Sequence, residues 1–103
     1  MAFQTVLREE SLWSGEKLGI EIGGRRILLV NVDGVVRAYE DRCLHHGWPL
    51  SRGKLVGSEL TCALHQWRYD ACTGMALNPR GVTLRSYAVR ILNGDILVDI
   101  DGT

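Results

Sequence analysis

Three cysteines and three histidines are the residues of this 103-residue chain best suited to hold a metal, and two of each fall into a pattern. Cys43-Leu44-His45 reads C-x-H and Cys62-Ala63-Leu64-His65 reads C-x-x-H, with 16 residues between His45 and Cys62. Each short turn offers one thiolate and one imidazole, and each follows a β-prone run. Such donors hold zinc or an iron–sulfur centre. Structural zinc sites usually take two cysteines from one C-x₂₋₄-C turn and two histidines from an H-x₃₋₅-H turn. C-x-H is tighter than that pattern. An odd cysteine count without an export signal is also poor material for a disulfide framework.

Something rigid must hold these turns, and the flanking sequence supplies it as strands. Phe3 to Leu7, Lys17 to Ile22, Arg25 to Val32 and Val35 to Glu40 read as strands before the turns. Ser86 to Leu92 and Asp95 to Ile100 read as strands after them. Gly23-Gly24, Asp33-Gly34 and Asn93-Gly94 separate neighbouring runs as two-residue hairpin turns. Arg8 to Trp13 forms at most a short helical turn, ended by Gly15, with Trp13 as a core or loop anchor. The expected fold class is all-β, a small antiparallel sandwich or barrel. The length suits one domain over residues 1–103. The region of about residues 41–82 is inserted between the hairpin halves and is too irregular for plain sheet.

Composition narrows the function. Twelve basic and twelve acidic residues cancel, and no basic run offers a stripe for phosphates. No nucleic-acid partner is expected. No apolar run approaches the roughly 20 residues that span a bilayer. Met1 to Glu10 carries Glu9 and Glu10 and no apolar stretch, so no secretory signal is read there. A soluble protein of the cytoplasm, with no membrane partner, is the expectation.

The paired turns resemble those of the Rieske family, whose pattern is C-x-H, some 15 to 17 residues, then C-x-x-H. His46-Gly47 is similar to the family's C-x-H-x-G turn. Asp70-Ala71-Cys72-Thr73-Gly74 is similar to its D-x-x-T-G turn, and Leu77-Asn78-Pro79 to its proline-containing cover loop. Trp67 and the run ALNPRGVTL further resemble the Rieske ferredoxins of multicomponent toluene and alkene monooxygenases. Trp13-Ser14-Gly15-Glu16 and Ile27-Leu28-Leu29-Val30-Asn31 do so as well. Leu44 and Gln66 depart from the Pro and Gly common at those places, without removing a ligand.

The resemblance implies a Rieske fold with a cluster-binding subdomain of two ligand loops. It implies one [2Fe–2S] cluster, with Cys43 and Cys62 on one iron and His45 and His65 on the other. The implied role is a monomeric carrier and not an enzyme. It would take single electrons from an NADH-dependent flavoprotein reductase to a di-iron hydroxylase of hydrocarbon catabolism. His46, Trp48, Gln66, Trp67 and Pro79 would dock partners or shield the cluster, Trp67 being the stronger docking candidate. For His46 and Pro79 the plainer reading is an ordinary loop residue, and for Cys72 a small apolar filler. Trp67 stands where high-potential relatives carry a serine donor. That implies a potential toward the low end of the range of roughly −150 to +300 mV. Rival readings are the ferredoxin of an aromatic-ring dioxygenase, the small Rieske subunit of a nitrite reductase, and a structural zinc domain for interactions.

Overall fold

A computed structural model describes residues 3–43, 48–63, 67–78 and 81–100. Eleven strands run through the described residues. They are β1 (Phe3–Arg8), β2 (Lys17–Ile22), β3 (Arg25–Val32), β4 (Val35–Glu40), β5 (Lys54–Val56) and β6 (Glu59–Thr61). Then come β7 (Arg68–Asp70), β8 (Ala76–Asn78), β9 (Ser86–Tyr87), β10 (Val89–Leu92) and β11 (Asp95–Asp99). They form three sheets, in the orders β1-β11-β10, β2-β3-β4-β9 and β5-β6-β7-β8, and every pairing is antiparallel.

The expected hairpins hold to the residue. Asp33 and Gly34 have φ of 54° and 86°, and Asn93 and Gly94 have 53° and 82°. Both central residues are left-handed, the backbone of a type I′ turn, which matches the twist of the strands it joins.

β3 explains the layering. Its run Ile27-Leu28-Leu29-Val30 is fully buried, which a strand with one wet face would not be. Ile27 and Leu29 point into one core with Leu12, Ala38, Tyr87, Ile96, Val98 and Ile100. Leu28, Val30 and Val32 point into the other, with Tyr39, Cys43, Leu50, Leu60, Cys62 and Tyr69. The β2-β3-β4-β9 sheet is therefore the middle layer, with the β1-β11-β10 sheet on one face and the β5-β8 sheet on the other.

Three sequence expectations change. Ser86 to Leu92 is not one strand: it breaks at Ala88 into β9, which pairs with β4, and β10, which pairs with β11. Residues 41–82 contain a four-stranded sheet, missed because each strand has only three residues, too short a run to establish an alternation. Trp13 is 71% exposed and anchors no core; Leu12 beside it is buried. Asn31 decides between them: its buried amide donates to the Leu12 carbonyl at 2.9 Å while its Oδ1 accepts the Gly34 N–H at 2.9 Å. The Arg8 to Trp13 turn is a single 3₁₀ turn, Glu9–Ser11.

Tyr39 ties the middle sheet to the turn after β7, donating from its hydroxyl to the Ala71 carbonyl at 2.7 Å. Gly74, at φ 80°, lies flat against its ring, where a Cβ would meet Tyr39 Cε1 at 2.8 Å. Burial raises the Tyr39 pKa to about 12; the Arg37 charge opposes the rise, and Cys72 and Asp70 add to it. Below pH 10 the phenol is protonated in both folded and unfolded chains. Above it the unfolded chain loses the proton first, so stability falls until the folded group also titrates. The stability advantage of wild type over Tyr39→Phe should therefore shrink by about 2 kcal/mol between pH 10 and pH 12. Urea titrations of both proteins at several alkaline pH values measure this; a constant difference would refute it.

Candidate cluster site

β4 leads directly into the first C-x-H turn. Its last residue is followed by Asp41, whose N–H donates to Arg26 at 3.0 Å, and then by Arg42 and Cys43. The second turn is the β6–β7 connection, with Cys62 directly after β6 and Trp67 directly before β7. Both loops close in the same way. The Cys43 N–H donates to the Trp48 carbonyl at 2.7 Å, and the Cys62 N–H donates to the Trp67 carbonyl at 2.7 Å. Each bond spans five residues and closes a loop whose sequence carries one cysteine, with His45 and His46 in the first and His65 in the second. The tryptophan five residues after each cysteine is visible in the sequence, yet nothing there announces the closure.

Both cysteines are about 1% exposed, belong to the same core, and are in no disulfide. Tyr69, fully buried on β7, sets its hydroxyl 3.5 Å from the Cys43 sulfur. Trp67 is half-buried and packs on this core, whereas Trp48 is 39% exposed, with the Arg52 guanidinium 5.9 Å from its ring centre. Of the pair, Trp67 is the more buried and Trp48 presents more surface. His45, His46, His65, Gln66 and Pro79 lie outside the described residues, as do Leu44 and Gly47. Cys72 is half-buried at the edge of the core.

Asp41, which the sequence does not single out, is buried beside the first loop. It is 4% exposed. Its carboxylate accepts the Ser51 N–H at 2.8 Å and the Ser51 hydroxyl at 2.7 Å. Ser51 sits in the 3₁₀ turn Leu50–Arg52, so this clasp joins the two ends of the first loop. Lys17 on β2 adds a hydrogen bond to the Ser51 carbonyl.

The Rieske [2Fe–2S] domain profile matches residues 2–88. The naphthalene 1,2-dioxygenase ferredoxin component of Pseudomonas putida is 37% identical over 87 residues, 84% of each chain. The alkene monooxygenase ferredoxin component of Xanthobacter autotrophicus is 31% identical over 90 residues, 86% of this chain and 74% of that one. Among solved structures, a complex of reduced oxygenase and oxidized ferredoxin in carbazole 1,9a-dioxygenase gives a TM-score of 0.85 at 26% identity, covering 93% of this chain and 91% of that one. The chain belongs to the Rieske [2Fe–2S] family.

One [2Fe–2S] cluster is accordingly its cofactor, and the local chemistry fits. Two buried cysteines share one core, on loops closed alike, with a tyrosine hydroxyl 3.5 Å from one sulfur. Cys43 and Cys62 would hold the cluster here as thiolates, in surroundings that keep water from the sulfurs.

The clasp gives a first test at the site. Asp41→Ala leaves the Ser51 N–H and hydroxyl without their acceptor and should cost about 2 kcal/mol. The visible absorption of the cluster should also bleach faster than in wild type. Denaturant titration and timed spectra measure both; unchanged bleaching would show that the clasp does not hold the loop.

Proposed function

We propose that residues 1–103 form one Rieske domain that shuttles single electrons within a hydrocarbon-oxidising oxygenase system. The ligands are Cys43 and Cys62 on one iron and His45 and His65 on the other. The observation that carries this reading is the pair of identically closed loops, which bury both thiols in one core. The cluster supplies one-electron redox chemistry. The chain's part is to keep water from the sulfurs, to set their hydrogen bonds, and to present the loop edges to a partner.

Electrons arrive from an NADH-dependent flavoprotein reductase and leave to an oxygenase. A di-iron hydroxylase is the first reading, supported by Trp67 and by the alkene monooxygenase relative. An aromatic-ring dioxygenase is the second, supported by the higher identity to the naphthalene dioxygenase ferredoxin. No helix among the described residues is long and apolar enough to cross a membrane, in keeping with a carrier that works in the cytoplasm.

The dithionite-reduced protein should give the rhombic EPR signal of a mixed Cys/His [2Fe–2S] centre. A colourless protein with stoichiometric zinc would end the carrier reading. NADH-driven turnover, with a reductase and either oxygenase type added, then separates the two readings by which one yields product.

A further inference from the structure

The chain is neutral overall, yet its fold sorts the charges. At the end of β4 away from the ligand loops lie exposed Glu9, Glu10, Glu16 and Asp33, with half-buried Asp95. The backbone gathers them: the Glu9 N–H donates to Gly94 at 2.8 Å and the Asn31 N–H to Glu16 at 3.0 Å, while Asp95 pairs with Arg8 across β1 and β11. Arg8 is the base in this group, 2.9 Å from Asp95 and 3.8 Å from Glu10.

Around the ligand loops the balance reverses. Three adjoining grooves of 220, 250 and 230 Å³ share their walls. The first holds Arg25, Arg26 and Arg42, the second Arg26 and Arg52, and the third Arg52, Lys54 and Cys62. A basic belt thus runs from the neighbour of Cys43 to the wall beside Cys62. Glu21, Glu40 and Asp41 also line these grooves, and Asp41 is buried against Ser51. Five bases against three acids leave an excess of positive charge. Among the described residues none of the five bases is in an ion pair. Arg52 extends the belt over the exposed ring of Trp48, and arginine and tryptophan are the residue types enriched at docking hot spots.

We propose that this belt is the docking surface for a protein partner whose electron port is rimmed by carboxylates, with the acidic end turned away. The inference rests on the carrier reading. Guanidiniums spaced along open grooves suit a broad acidic rim, whereas a small anion needs donors that converge. Opposed patches steer encounter and fix orientation, and weak contacts suit a carrier that must leave again.

Stopped-flow oxidation of the dithionite-reduced holoprotein tests it, with ferricyanide as an anionic oxidant and cobalt hexaammine as a cationic one. The ferricyanide rate should fall as salt rises, and the cobalt rate should not fall. Arg26→Glu/Arg52→Glu should slow ferricyanide about tenfold at low salt. Glu9→Gln/Asp33→Asn should leave it unchanged. EPR and redox titration of each variant check that the centre and its potential are intact. Poly-L-glutamate, standing in for a carboxylate-rich rim, should slow wild type and not Arg26→Glu/Arg52→Glu. Salt-independent ferricyanide rates would overturn the proposal. So would salt-sensitive rates that poly-L-glutamate leaves untouched, since the belt would then take small anions only. A protein that cannot be reduced at all would instead overturn the carrier reading.

Discussion

Cys62→Ser is expected to give a protein without cluster in which one half of the molecule loosens and the other stays folded. Serine nearly matches cysteine in size, so the side chain still fits its buried place, but it supplies no thiolate. On the ligand set proposed above, the core around Cys43, Leu50, Leu60, Cys62 and Tyr69 would then lose the cluster that joins its two cysteine loops. Metal binding is folding energy where the site does not exist in the unfolded chain, and its loss here is on the order of several kcal/mol. The second core, around Leu12, Ile27, Leu29, Ile96 and Val98, lies across the middle sheet and, among the described residues, includes neither Cys43 nor Cys62. Hydrogen exchange should lose protection in β5 to β8 and keep it in β1, β10 and β11, alongside loss of colour and iron. Equal loss across all three sheets would show one cooperative unit instead of two.

Tyr69→Phe is expected to lower the reduction potential. As a cluster ligand Cys43 would have no proton to give, so the Tyr69 hydroxyl, 3.5 Å from its sulfur, would be the donor of that contact. Donation stabilises the more negative, reduced state. For one electron, a tenfold change in equilibrium is 59 mV, so each kcal/mol lost moves the potential by about 40 mV. A hydrogen bond to a charged group is worth about 1.5–3 kcal/mol, and only its difference between oxidation states counts. A fall of about 40 mV follows for a difference of about 1 kcal/mol. A redox titration of the two proteins reads it directly, and an unchanged midpoint would exclude Tyr69 as a tuning donor. In wild type this donor works against the low potential that Trp67, standing in place of a serine, implies.

The hairpins were legible because their evidence is local. Asp33-Gly34 and Asn93-Gly94 carry the left-handed backbone in their own chemistry, and the strands beside them are long enough to show a pattern. Arg25 to Val32 read only as a strand; its cover on both faces is seen in the structure alone. The sheet β5 to β8 was not legible, because three residues cannot display a period of two. Its stability comes from Leu60, Tyr69 and Ala76 reaching a core assembled from distant segments. The paired Cys/His turns were the clearest signal, since few other uses explain that spacing. Asp41 stayed hidden for the opposite reason: an isolated acid reads as solvated until the fold brings Ser51 to it. Leu12 and Trp13 were confused because large aromatic size suggests burial, while the Asn31 amide settles which of the two turns inward.

The pairing of β1 with β11 joins segments from opposite ends of the chain, with Phe3 opposite Asp99. A short linker from Asp99 back to Phe3 would make these strands an ordinary hairpin. The chain could then be opened at Gly57-Ser58, in the exposed turn between β5 and β6. Such a circular permutant would turn the longest-range strand pairing of the molecule into a local one. Chains dominated by local contacts fold faster, because less loop-closure entropy is spent before contacts form. The present order postpones closure of the outer sheet until the last strand is available, so a growing chain would complete its cluster loops before it could seal the opposite face.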